Sequence, residues 1–233
     1  MTARDIITKI RKRLNKDDTD DFDNVSLFSA IEAYNKAQLN VINYFTKPLN
    51  QEQVGAEGTF RNIDRLSFLL NKTPRPLNMT KEGRYWFSEK FPTDYYKYRQ
   101  SYSEATNGKC DKKVILHIPY EEANIELIMR NSNQNASFEW GEAPITVAES
   151  RLKIHTDNKF DVLKAYLTYY RYPRPIDIAG YIKADGTAST DVDSEFTDDM
   201  TELCIDEAVR ILQGDIQNIA GVQISQQNLL RGE

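Results

Sequence analysis

The sequence predicts an α+β fold: a helical bundle built from N- and C-terminal helices, with an antiparallel β-rich domain inserted between them. Three observations predict it. Apolar residues recur at helical spacing from residue 3 to about 71. From about Leu77 the texture changes to alternation rich in tyrosine and β-branched residues, with turn signals close together. Helical spacing then returns after Thr197. Such segregation argues against a βαβ repeat. The boundaries fall at 1–75 for the helical part, 76–196 for the β-rich part, and 197–233 for a closing helix and tail that pack on the N-terminal helices.

Residues 3–15 place Ile6, Ile7, Ile10 and Leu14 on one helical face, with Thr2 as N-cap. A second helix, capped by Asn24 or Ser26, runs to Tyr44 or Phe45 with a stripe of Leu27, Ile31, Tyr34, Val41 and Phe45. A third fits Thr59–Asn71 through Phe60, Ile63, Leu66 and Leu70. GRYWFSEKF, DYYKYRQSYSEA and KVILHIP read as strands, the last with Val114, Leu116 and Ile118 on one face. Residues 121–131 read as a short helix with Ile125, Ile128 and Met129 inward. Residues 137–172 then read as consecutive antiparallel strands, with tight turns at Glu149-Ser150 and Asp157-Asn158. After a polar loop, Thr197 caps a helix striped by Met200, Leu203, Cys204, Ala208, Ile211 and Leu212, with Asp198 and Asp199 at its N-terminal end.

Composition excludes several function classes. The chain has 233 residues and a net charge of −5, a poor balance for a protein whose main task is gripping phosphates. The first residues form an amphipathic basic helix rather than a secretory signal, and no apolar run approaches membrane-spanning length, so no membrane partner is expected. Cys110 and Cys204 have no metal-ligand spacing and read as free thiols of a reducing cytoplasm. No Walker A or GxGxxG loop occurs, and no cofactor is expected. The two histidines, His117 and His155, lie in alternating patterns and read as strand residues on an outer face or at a sheet edge. DDTDDFDN lacks the glycine and closing glutamate of a calcium loop and reads as a solvated interhelix loop. Asp191, Asp193 and Glu195 alternate, which in an extended segment would aim three carboxylates one way, as a metal nuclease needs. A loop leading into a capped helix is the plainer account.

Two features point to partners. Helix one carries six Lys/Arg between residues 4 and 16, among them Arg4, Lys9, Arg11 and Arg13. Their counterpart is a nucleic acid, an acidic protein surface, or the aspartate run that follows. The second feature is AYLTYYRYPRPIDIAGY, with five tyrosines in seventeen residues. In extended form Val162, Lys164, Tyr166, Thr168, Tyr170 and Tyr172 share one face, and Leu163, Ala165, Leu167 and Tyr169 the other. Both faces are apolar or amphipathic, so the strand is expected to be covered on both sides. Pro173 and Pro175 fix an extended exit.

FEWGEAPITVAESRLKIHTDNKFDVLKAYLTYYRYPRPIDIAGY, followed by STDVDSEFTDDMTELCIDEAVRILQGD, resembles virion structural proteins of crAss-like phages and related Bacteroidetes-infecting podophages. The front end, TARDIITKIRKRL with a longer helix after an acidic loop, also resembles head–tail adaptor proteins. The resemblance implies a non-enzymatic, ring-forming subunit of the head–tail connector or tail barrel. Its partners would be itself, in twelvefold rings, the portal protein and adjacent tail ring proteins. Genomic DNA would pass through the lumen without sequence-specific contact. It would reside in the virion tail or neck after assembly in the host cytoplasm. Tyr166, Leu167, Tyr169, Tyr170 and Arg171 are expected to build the β core and an interface, and Cys204, Val209 and Leu212 the helical core. The contact candidates are Arg4, Lys9, Arg11, Arg13, Tyr166, Tyr170, Arg171, Arg174, and, in the tail, Val222, Leu229 and Leu230. The rival readings are another minor virion or head-completion protein, a nucleic-acid binder using helix one, and the metal nuclease.

Overall fold

The computed structural model describes residues 1–14, 25–46, 64–71, 73–108, 112–183 and 186–215. It is a mixed α+β structure. The helices are α1 (Ala3–Leu14), α2 (Leu27–Phe45), α3 (Ile125–Arg130) and α4 (Asp198–Asp215). The strands are β1 (Arg75–Leu77), β2 (Met79–Glu82), β3 (Tyr85–Ser88), β4 (Tyr95–Thr106), β5 (Lys112–Pro119), β6 (Glu142–Ala148), β7 (Arg151–His155) and β8 (Asp161–Arg171). Two compact units form, one from residues 1–68 and 173–233, the other from 69–172. Among the described residues no helix is long and apolar enough to cross a membrane.

In the first unit α1, α2 and α4 pack together. Thr2 caps α1: the Asp5 amide donates to its hydroxyl at 3.2 Å, and that hydroxyl donates to the Asp5 carboxylate at 2.6 Å. Ile6, Ile7, Ile10 and Leu14 are buried, as the helical spacing requires. Ser26 caps α2, accepting the Ser29 amide at 3.0 Å. Ala30, Ala33 and Ala37 are buried and small, which lets neighbouring helices approach closely. On α4, Cys204, Ile205, Ala208, Val209 and Leu212 are buried, whereas Leu203 and Ile211 are half-buried. The expected third helix is mostly absent where it can be seen: Asp64 and Arg65 are helical, then a 3-10 turn takes Ser67–Leu69. Residues 59–63 lie outside the described residues.

Residues 173–196, expected with the β-rich part, belong to the first unit instead. The reason is specific pairing. The Asn35 side-chain amide donates to the Ile176 carbonyl at 3.2 Å and its oxygen accepts the Ile176 amide at 2.8 Å. Tyr34 meets the Ser194 hydroxyl at 3.1 Å, and Phe196 packs edge-on against Phe68 at 5.1 Å. Ile176, Ile178 and Phe196 are buried.

The second unit is one eight-stranded sheet in the order β1-β8-β4-β5-β6-β7-β3-β2. Its edge strands β1 and β2 are consecutive, with only Asn78 between them, so the sheet must curl until its edges nearly meet. Lys81 of β2 and Asp161 of β8 pair at 2.9 Å across that seam. The interior holds Leu77, Ile115, Ile145, Leu152, Ile154, Ala165 and Leu167, all fully buried. The turns at Glu149-Ser150 and Asp157-Asn158 have φ of 51°, 58°, 50° and 59°, the left-handed pairs that two-residue hairpins need.

Two expectations change here. The sheet is not wholly antiparallel, because β5 and β6 pair in parallel. A parallel pair needs a crossover, and the segment bearing α3 supplies it. GRYWFSEKF supplies one strand, β3, as the sequence suggests, and Gly83 at φ 64° turns β2 into it. On β8 the faces change phase. Glu104 pairs with Lys164 but Ala105 with Val162, so Leu163 is an extra residue in the ladder. Val162 therefore shares the buried side with Ala165, while Leu163 is turned out.

Candidate interaction surface

The carboxylates that could have gathered around a metal serve structural ends. Asp193 accepts the Ala3 amide, Asp191 the Ala179 amide and Glu195 the Arg174 amide, each at 2.9 Å. Three acidic side chains thus bond three separate backbone segments instead of converging. Among the described residues no group of three or more His, Cys, Asp or Glu is placed to hold a metal ion. Cys204 is buried, and burial pushes its thiol well up, with the Glu207 charge adding to the shift. Cys110 lies outside the described residues.

Both histidines are buried rather than exposed on a face. His117 is inside the barrel with Ser101 at 2.7 Å from Nδ1 and Ser103 at 3.0 Å from Nε2. Burial pushes its imidazole down to about 3. Its neighbours Val114 and Leu116 mark the outer side of β5, so the apolar face read from KVILHIP points outward and Ile115 and His117 point in. His155 lies against Tyr85, with Thr146 at 3.3 Å from Nε2. Burial first, then the Lys153 charge, lower it to about 4.

The basic face of α1 is largely spoken for. Lys9 and Arg13 both bond the Glu202 carboxylate, and Arg13 also reaches Asp206 at 2.6 Å. Burial raises Glu202, but Lys9 and Arg13 outweigh it and hold the carboxyl below its ordinary range. Arg4 stands 3.9 Å from Asp191 with both side chains largely exposed, and Arg11 is exposed. Arg174 pairs with Glu195 at 3.4 Å. The positive charge that suggested an external anion is thus partly neutralised by α4.

On the long strand, Tyr166 and Tyr170 part company. Tyr170, expected at an interface, is buried, bridged by Leu70, and burial raises its hydroxyl. Arg171 is half-buried and donates to the Tyr172 carbonyl at 3.2 Å. Tyr166 remains on the outer surface, its ring stacked on Tyr102 at 4.9 Å and 17°, its hydroxyl donating to Glu104. Val222, Leu229 and Leu230 lie outside the described residues.

Tyr166 belongs to a larger feature. Cross-strand register sets Tyr166, Tyr102 and Leu116 in one outward row across β8, β4 and β5. Val114 and Leu116 are 54% and 60% exposed, and Leu163 is turned out on β8, with β4 between. Trp140 joins them: the Gly141 carbonyl accepts the Leu116 amide at 2.7 Å, which brings the Trp140 turn alongside β5. Trp140 is 81% exposed. An exposed apolar group of this kind that includes tryptophan and tyrosine is typical of protein-binding surfaces. Sequence reasoning found only Tyr166. The usable signal was Val114 and Leu116 alternating with Ile115 and His117, which marks two faces without saying which is outside.

No protein-family model matches this chain, and no curated protein matches it at a significant level.

Proposed function

We propose that the chain is a non-enzymatic phage virion protein, a ring-forming subunit of the head–tail connector or tail barrel. In this reading the helices α1, α2 and α4 form the bundle of an adaptor-like fold and the barrel is the domain inserted in it. The observation that carries the reading is the exposed apolar face at Trp140, Val114 and Leu116. A subunit that works by assembly needs surface of this sort, and burying each aliphatic side chain contributes about 1.5–3 kcal/mol. The acidic cluster at Asp191, Asp193 and Glu195 and the cations Lys9 and Arg13 are engaged within the chain, which weighs against the nuclease and nucleic-acid readings.

The ring would join portal to tail, twelve copies around a lumen that passes DNA. A net charge of −5 suits such a conduit, since a basic lumen would hold DNA by its phosphates. Negative-stain imaging of the purified chain, with its mass in solution, tests the reading. Closed rings are expected. Salt-dependent binding of duplex DNA by the isolated chain near physiological salt, or a lumen lined mainly by Lys and Arg, would overturn it.

A further inference from the structure

Asn107 stands immediately before Gly108, and no other asparagine of the chain precedes a glycine. The pair opens the β4–β5 turn, just past Thr106, whose ladder partners are Lys112 on β5 and Asp161 on β8. Both residues are exposed. Gly108 has φ 80°, in the left-handed region that a residue with a side chain resists. A Cβ built on it would meet no described atom within 4 Å. Its amide nitrogen is therefore unshielded on the side where a side chain would stand. That nitrogen is also outside the ladder. Amides inside a ladder donate to carbonyls and are held there. The Gly108 amide donates instead to the Thr106 hydroxyl at 3.3 Å, a long bond to a side chain at the surface. Asn78, between β1 and β2, precedes Met79, and Asn124 precedes Ile125, so a side chain crowds the following nitrogen in both.

We propose that Asn107 is a self-modifying site, where the Gly108 nitrogen attacks the Asn107 side-chain amide and the residue becomes aspartate or isoaspartate. Hydroxide from solvent takes the Gly108 amide proton. A bond forms between the Gly108 nitrogen and Asn107 Cγ, and the Cγ–Nδ2 bond breaks with loss of ammonia, whose extra proton comes from water. The product is a succinimide. Water then opens it at either carbonyl. Opening at Cγ leaves aspartate with the backbone unchanged. Opening at the backbone carbonyl leaves isoaspartate, with the chain rerouted through Cγ. Water is the only co-reactant consumed, and nothing is oxidised or reduced. Either product sets a new carboxylate just past the Thr106–Lys112 pair, and isoaspartate also lengthens the turn by one backbone carbon. The reaction is independent of the ring reading.

Peptide mapping of the purified full chain, held in mildly alkaline buffer at body temperature, is the test. Isoaspartate is counted by methyl transfer from S-adenosylmethionine with an isoaspartyl methyltransferase. Asn107 is expected to convert before any other asparagine, with isoaspartate as the main product, and faster as pH rises. Asn107→Gln is expected to slow conversion at this position by at least about tenfold, because the attack would have to close a larger ring. Both residues are exposed, so this variant keeps the fold. The same chain in urea supplies the rate without structure. A folded rate within about tenfold of it, a barrier difference below about 1.4 kcal/mol, is expected of an unshielded amide. A folded chain slower than that would show that the turn protects Asn107, and it overturns the inference. Conversion of another asparagine ahead of Asn107, or an isoaspartate signal undiminished in Asn107→Gln, overturns it too.

Discussion

The Asp193 carboxylate accepts the Ala3 amide at 2.9 Å, so a residue 190 positions away satisfies the first turn of α1. Helix α1 leaves its first amides without intrahelical partners, and Thr2 alone serves the Asp5 amide. Asp193→Ala is expected to lower stability by about 1 kcal/mol, the usual cost of losing a cap. Asp193→Asn, which keeps an acceptor oxygen, should recover most of it. Urea unfolding of the three chains measures this. Equal loss in both variants would mean that charge, not the hydrogen bond, matters at this position.

His117 predicts acid sensitivity of the barrel. Its imidazole is pushed down to about 3 in the folded chain and returns to about 6.5 on unfolding. Between those values the unfolded chain binds one proton more than the folded chain. Stability from this group is therefore complete above about pH 6.5 and lost as pH falls toward 3, at about 1.4 kcal/mol per pH unit. His117→Gln, which offers polar atoms to Ser101 and Ser103 but does not titrate, should reduce the pH slope of stability between 6.5 and 5 by about one proton. Urea midpoints at a series of pH values supply that slope, and an unchanged slope would count against the buried neutral imidazole. His155, lowered to about 4 by burial and by Lys153, would leave a residual slope in the variant.

Glu207 is a buried carboxylate on α4, held by the Arg210 guanidinium at 2.5 and 2.6 Å and by the Asn40 amide at 2.7 Å. Removing a partner leaves charge without compensation in a desolvated site. Arg210→Met is therefore expected to cost about 3 kcal/mol, the lower end for a broken buried pair because Arg210 is partly exposed. Adding Glu207→Met to Arg210→Met should return much of that loss, since the uncompensated charge goes with it. A double variant no more stable than Arg210→Met would show that packing of the arginine stem, not the ion pair, is what the site requires.

The parts legible in the sequence are those that depend on near neighbours. The stripe Ile6, Ile7, Ile10 and Leu14 fixes the buried face of α1, and the pairs Glu149-Ser150 and Asp157-Asn158 turn where the alternation breaks. Illegible parts depend on distant partners. Nothing local in KVILHIP says that β5 will pair in parallel with β6, or that Val114 and Leu116 will face out while His117 finds Ser101 and Ser103. Leu163 shares a face with Ala165 by counting, and only the register against Glu104 and Ala105 moves it to the other side. The basic face of α1 was readable as charge, but its chief counterparts, Glu202 and Asp206, lie on a helix at the far end of the chain. Tyr166 could be picked from the tyrosine cluster. Trp140 could not, since its exposure follows from the turn that Gly141 makes beside β5.

The β6–β7 turn offers a change in the stabilising direction. Glu149 and Ser150 sit at φ 51° and 58°, a conformation in which a side chain is strained and Asn-Gly is preferred. Both residues are exposed, so replacement disturbs no packing. The Ser150 carbonyl accepts the Phe91 amide at 2.8 Å, and a glycine keeps that carbonyl in place. Ser150→Gly relieves the strain in the folded state but loosens the unfolded chain, so its net gain is expected to be about 0.5 kcal/mol. Glu149→Asn added to it should raise the gain to about 1 kcal/mol, because asparagine tolerates the left-handed region without the entropy of a second glycine. Ser150→Val, whose branched side chain resists that region, should lose at least about 1 kcal/mol. Thermal unfolding ranks the variants, and a valine variant as stable as the parent would contradict the left-handed turn.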